Sequence, residues 1–152
     1  MPSTIIIAAS SCLIALSNIN ALWILEKVYQ KIYITDIIAK EYDLPLPDFI
    51  EIKEVNNLNV QKALLGYLDP GEASAITLGL ENSDSLLILD DLKGRKEALK
   101  LKLKFTGTLG VLVRAKKENL LSNISIYIIA LKSNGFRMSD NIIELAIKES
   151  EK

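Results

Sequence analysis

The stretch Leu86-Leu-Ile-Leu-Asp-Asp-Leu-Lys-Gly-Arg95, followed by Phe105-Thr-Gly-Thr-Leu-Gly110, decides the fold. Leu86 to Leu89 is apolar without alternation, the pattern of a parallel strand covered on both faces, and it stops at two carboxylates. A parallel α/β sheet builds its ligand site just beyond the carboxyl ends of its strands, where an acidic pair can hold a divalent cation. Residues 4–9 repeat the pattern with a run of isoleucines, and residues 31–34 and a short piece near Phe105 give two further strands, with residues 49–55 extended. Helices are expected over residues 11–17, 20–29, 58–68, 70–80, 92–102, 108–118 and 124–132. Thr35 is expected to cap a helix running through Tyr42, and Ser139 or Asp140 a last helix through Lys148. This alternation predicts a three-layer α/β/α sandwich with a central parallel sheet, one domain over residues 1–152.

A chain of 152 residues buries roughly 70% of its unfolded surface and needs no covalent staples. Its one cysteine, Cys12, excludes an intramolecular disulfide and makes a reducing cytoplasm the natural expectation. With no histidine in the chain, histidine general bases, Ser-His-Asp triads and most zinc sites are excluded. Cys12 has no base to activate it and sits among apolar neighbours, so it reads as a packing residue. No charged side chain precedes Glu26, yet Ser10, Ser11, Ser17, Asn18 and Asn20 interrupt the apolar runs, which are too short to span a membrane.

Asp90 and Asp91 fit the N-cap of the next helix as well as a metal site, and the two roles can fall on different residues. Asp69-Pro-Gly-Glu72 has the layout of a capping box, with proline at the first helical position. Glu72 could instead reach inward to share a cation with Asp90, which the small residues of Ala73-Ser-Ala-Ile-Thr77 would permit by letting the helix approach the sheet. Thr106-Gly-Thr-Leu-Gly110 fits a phosphate-binding strand-to-helix junction, and equally an ordinary turn with Thr108 as N-cap. From residue 92 to 117 nine cations face one acid, Glu97, in a chain of net charge −1. Lys93, Arg95, Lys96 and Arg114 are the candidates in that run for holding a nucleic-acid backbone, against the plain reading of a solvated helix face.

The order Ser10-Ser-Cys-Leu-Ile-Ala-Leu16, Gly71-Glu-Ala-Ser-Ala-Ile76, Leu87-Ile-Leu-Asp-Asp91 and Thr106-Gly-Thr-Leu-Gly-Val-Leu112 resembles the PIN-domain proteins over essentially the whole chain. It looks closest to a VapC-like branch ending in a stretch like Gly135-Phe-Arg-Met-Ser-Asp140. The resemblance implies a ribonuclease using Mg²⁺ or Mn²⁺, commonly the toxin of a toxin–antitoxin pair and commonly a homodimer. It implies metal-binding roles for Glu72 and Asp90, with Asp91 adjacent and with Thr106 or Thr108 orienting water or a phosphate oxygen. RNA and a small antitoxin protein are the implied partners. The chain departs from the family at the first acidic position, where Ala8-Ala-Ser-Ser-Cys12 places Ala9. Losing that carboxylate removes both a ligand and a negative charge that offsets metal and phosphate, so the alternative to a ribonuclease is a degenerate fold that binds nucleic acid or a partner protein without cutting.

Overall fold

The computed structural model describes residues 4–152. Five strands form one sheet: β1 (Ile5–Ala8), β2 (Ile32–Ile34), β3 (Ile50–Ile52), β4 (Ser85–Ile88) and β5 (Lys104–Thr106). All neighbours run parallel, in the order β3-β2-β1-β4-β5. Nine helices among the described residues flank it: α1 (Ser10–Asn18), α2 (Trp23–Tyr29), α3 (Asp36–Tyr42), α4 (Leu58–Leu64), α5 (Pro70–Leu80), α6 (Leu92–Lys100), α7 (Thr108–Lys117), α8 (Ser125–Ser133) and α9 (Asp140–Ser150). The result is the α/β/α sandwich expected from the alternation of elements.

The central strands β1 and β4 carry Ile7, Ala8, Leu87 and Ile88 fully buried, so side chains on both faces of the sheet are covered. Helix α5 is the innermost helix, with every residue from Gly71 to Thr77 buried and packed near β1 and β4. Small side chains allow that approach, and their hydroxyls are satisfied inside it: Ser74 donates to the Gly71 carbonyl at 2.7 Å and Thr77 to the Ala73 carbonyl at 2.8 Å. Against the other part of the sheet, α7 packs on β5 and touches α2 and α9.

Several boundaries differ from the sequence reading for local reasons. The helix expected over residues 20–29 begins only at Trp23, because Asn20 adopts a left-handed φ of 55°. That expected over residues 58–68 stops at Leu64, just ahead of Gly66, whose helix propensity is poor. Of the extended residues 49–55 only Ile50–Ile52 pair, as the edge strand β3. At the far end, Gly135 takes a φ of 89°, and the Gly135 and Phe136 amides donate to the Lys132 and Leu131 carbonyls at 3.1 and 2.9 Å. This closing turn of α8 fixes the direction in which Phe136 and Arg137 leave the helix.

Candidate active site

The register pairs Ala8 with Ile88 and Ile88 with Thr106, so the carboxyl ends of β1, β4 and β5 stand level. Pairing runs on past the strands: the Ala9 amide donates to the Ile88 carbonyl at 3.1 Å and the Leu89 amide to the Thr106 carbonyl at 2.8 Å. From β1 the chain order rises in both directions across the sheet, so β1 and β4 bracket the switch point where such sheets open a crevice. A cavity of about 320 Å³ lies there, lined by Ala9, Ser10, Glu72, Asp90, Asp91 and Arg137, among others.

Each carboxylate is held differently. Both oxygens of Asp90 accept from Thr108, Oδ1 from the amide at 2.8 Å and Oδ2 from the hydroxyl at 2.6 Å. Thr108 therefore caps nothing: Gly107 is the N-cap of α7, and the Thr108 hydroxyl, expected to cap the helix or meet a phosphate, orients Asp90 instead. Asp91 caps α6, its Oδ2 accepting from the Lys93 and Gly94 amides at 3.0 and 3.3 Å. Both aspartates line the crevice, but only Asp91 also caps a helix. Asp69 caps α5 by accepting the Glu72 amide at 2.8 Å, as its capping-box spacing predicts.

Glu72 is buried, and its carboxyl pKa is pushed from 4.5 up to about 8. Burial is the main cause, followed by a hydrogen bond shared with Asp91 and the charges of Asp69 and Asp91, opposed only by the Asp69 amide. On balance these effects favour the protonated form of Glu72 near neutral pH. Beneath the crevice Cys12 is fully buried, and its thiol is pushed up to about 12 by burial and by the charge of Asp90, the bond to Thr108 acting the other way. It is inert packing, as read from its neighbours.

The structure adds a carboxylate that the sequence reading overlooked. Glu41, on the last turn of α3, accepts from the Ser10 hydroxyl at 2.7 Å and occupies the space that a side chain on Gly71 would need. The contact spans 31 positions, so no local spacing announces it. Ala9 is extended and buried at the N-cap of α1, with no side-chain oxygen to offer the crevice.

The expected basic residues divide. Arg95 is brought to the site: its Nε donates to the Leu89 carbonyl at 2.7 Å, and its guanidinium lies 5.4 Å from the centre of the Phe105 ring. Lys93 and Lys96 are exposed on the first turns of α6. Arg114 is not brought there. It lies toward the other end of α7, paired with Glu118 at 2.7 Å and stacked on Tyr29 at 5.4 Å. Arg137, not singled out from sequence, overhangs the crevice beside Phe136. Thr106 faces a neighbouring cavity and packs its hydroxyl against Gly110.

The donor set is all oxygen and suits a hard divalent cation. Among the described residues, however, no three His, Cys, Asp or Glu side chains are already gathered closely enough to hold an ion. The model of the family described as DUF3368, PIN domain, matches residues 5–152. The chain belongs to this PIN-domain family. No curated protein and no solved structure matches it. PIN domains are generally nucleases, and in this PIN domain the parallel sheet presents its carboxylates at the switch point. Among its described residues no helix is long and apolar enough to cross a membrane.

Proposed function

We propose that this PIN domain is a Mg²⁺- or Mn²⁺-dependent endoribonuclease, the cytoplasmic toxin of a toxin–antitoxin pair, acting as a homodimer with activity reduced by Ala9. The observation that carries this reading is that Glu72, Asp90 and Asp91 line one crevice at the switch point, where burial, then Asp91 and Asp69, push the Glu72 pKa up to about 8. A divalent cation is the natural partner for such a cluster. Bound there, it would supply Lewis-acid polarisation of the phosphate and an acidified water.

The chain's own residues have separable tasks. Asp90 would be the fixed ligand, since Thr108 holds both of its oxygens from behind. Glu72 would be the adjustable one, exchanging its shared proton with Asp91 for the cation. Glu41, steadied by Ser10, would add negative charge near the place that Ala9 leaves neutral. Arg95 and Arg137, with Lys93 and Lys96 at the approach, would neutralise the RNA backbone, while Thr106 offers a hydroxyl to a phosphate oxygen. Exposed Ile126 and Ile129 on α8, with Ile142 and Leu145 on α9, supply apolar surface for a second copy or an antitoxin.

A second reading, a degenerate domain that binds RNA or a partner without cutting, is favoured by Ala9 together with the ungathered ligands. Incubation of the protein with single-stranded RNA and Mn²⁺ decides between them. Slow cleavage abolished by Glu72→Ala or Asp90→Ala and strongly accelerated by Ala9→Asp is the expected result. Absence of cleavage in all four proteins, with RNA still bound, would establish the degenerate reading.

A further inference from the structure

Beside the acidic crevice lies a second cavity of about 510 Å³ that shares Asp90, Phe136 and Arg137 with it. Its character is different. Phe105, Leu109, Met138 and Ile142 give it an apolar side, and its charged groups other than Asp90 are the guanidiniums of Arg95 and Arg137. An occupant should therefore be flat or apolar, tolerant of two cations, and continuous with whatever occupies the acidic crevice.

Two flat groups border this cavity, the Arg95 guanidinium anchored by a carbonyl and the Phe136 ring packed against the core. The Arg95 guanidinium lies over Phe105 at 5.4 Å and is anchored by the Leu89 carbonyl at 2.7 Å. It also fills the space that a side chain on Gly107 would take, so the close fit depends on that glycine. Phe136 leaves α8 through the turn at Gly135, its amide bound to the Leu131 carbonyl at 2.9 Å. Pre-ordered planes lose little freedom on binding, and nucleobases splayed from single strands stack on aromatic rings and guanidinium planes.

From this geometry we propose a nucleobase subsite formed by Phe136, Arg137, Arg95 and Phe105, which takes an unpaired base of single-stranded RNA while the adjoining phosphate meets the Arg137 guanidinium, which lines both cavities. The subsite rests on the reading that the chain engages RNA, and it adds that the substrate must present an unstacked base. A duplex, whose bases are stacked and paired, cannot fill it.

The test compares binding of a fluorescent oligoadenylate of about eight nucleotides with an abasic ribose-phosphate chain of equal length, in EDTA, by fluorescence anisotropy. The wild-type protein should bind the oligoadenylate about tenfold more tightly than the abasic chain. Phe136→Leu, which keeps apolar bulk, should remove most of that difference at an unchanged thermal midpoint, and Phe136→Trp should enlarge it. Equal wild-type affinity for the two chains, or equal effects of the Phe136 variants on both, would overturn the subsite and leave RNA binding standing. Binding of neither chain, in EDTA and again with Ca²⁺ in its place, would overturn the RNA reading and the subsite with it.

Discussion

At the scale of single residues, the unusual groups are Thr108, which spends its amide and hydroxyl on one carboxylate, and Glu72, which keeps a proton that a carboxyl ordinarily gives up. Thr108 is fully buried and its hydroxyl donates to Asp90 at 2.6 Å. Thr108→Val keeps the shape and removes the donor, so it should cost about 2 kcal/mol in urea unfolding, the usual scale for a hydrogen bond to a charged group. Thr108→Ser should recover most of this. In the proposed site the same change frees Asp90 and should weaken Mn²⁺ binding in calorimetry. Glu72 sets a pH dependence whose sign follows from its raised pKa. Below about 4.5 the carboxyl is protonated in both the folded and unfolded chains; between 4.5 and about 8 the unfolded chain releases the proton first, so folding stability falls as pH rises. Above about 8 both forms are ionised and the loss is complete. Glu72→Gln cannot titrate and should gain stability relative to wild type across that interval, measured as the difference between the two thermal midpoints at each pH. An unchanging difference would show that Glu72 is not held protonated.

Among the elements, α6 ties the fold to the site because its N-cap is also the residue that shares a proton with Glu72. Asp91→Ala should lose about 1 kcal/mol from the missing cap, whereas Asp91→Ser restores the cap without restoring the carboxylate. The serine variant should therefore unfold near the wild-type midpoint and still bind Mn²⁺ more weakly. Equal affinity for Mn²⁺ in the serine variant and wild type would confine Asp91 to capping. Such start signals are local, which is why α5 could be placed from Asp69, Pro70 and Glu72, with bounds matching the structure at Pro70–Leu80. Small residues in Ala73-Ser-Ala-Ile-Thr77 likewise announced its approach to the sheet. Long-range contacts were not legible in this way. Nothing near Glu41 in the sequence ties it to Ser10, and nothing near Thr108 indicates that Asp90, rather than its own helix, would claim its hydroxyl.

For the whole molecule, alternating strands and helices made the parallel sandwich legible, but the order β3-β2-β1-β4-β5 depends on which face each crossover helix covers. That order brings Ala9, at the end of β1, beside Asp90, at the end of β4, and so decides what an acid at position 9 would do. Ala9→Asp places another carboxylate in a crevice where burial, together with Asp91 and Asp69, already pushes Glu72 to about 8. Without metal, repulsion should lower the thermal midpoint below that of wild type and drive the Glu72 pKa higher still. With Mn²⁺ the added charge becomes an added ligand, and a cation that binds only the folded chain stabilises it by RT ln(1 + [L]/Kd), so tighter binding gives a larger rise in midpoint at the same Mn²⁺ concentration. The variant should thus be the less stable protein in EDTA and show the larger rise in midpoint on titration with Mn²⁺, more so at pH 8 than at pH 5, where protons compete for Glu72. A variant that matches wild type in EDTA and responds no more strongly to Mn²⁺ would mean that position 9 does not face the cation, and that the missing first acid is not what limits this site.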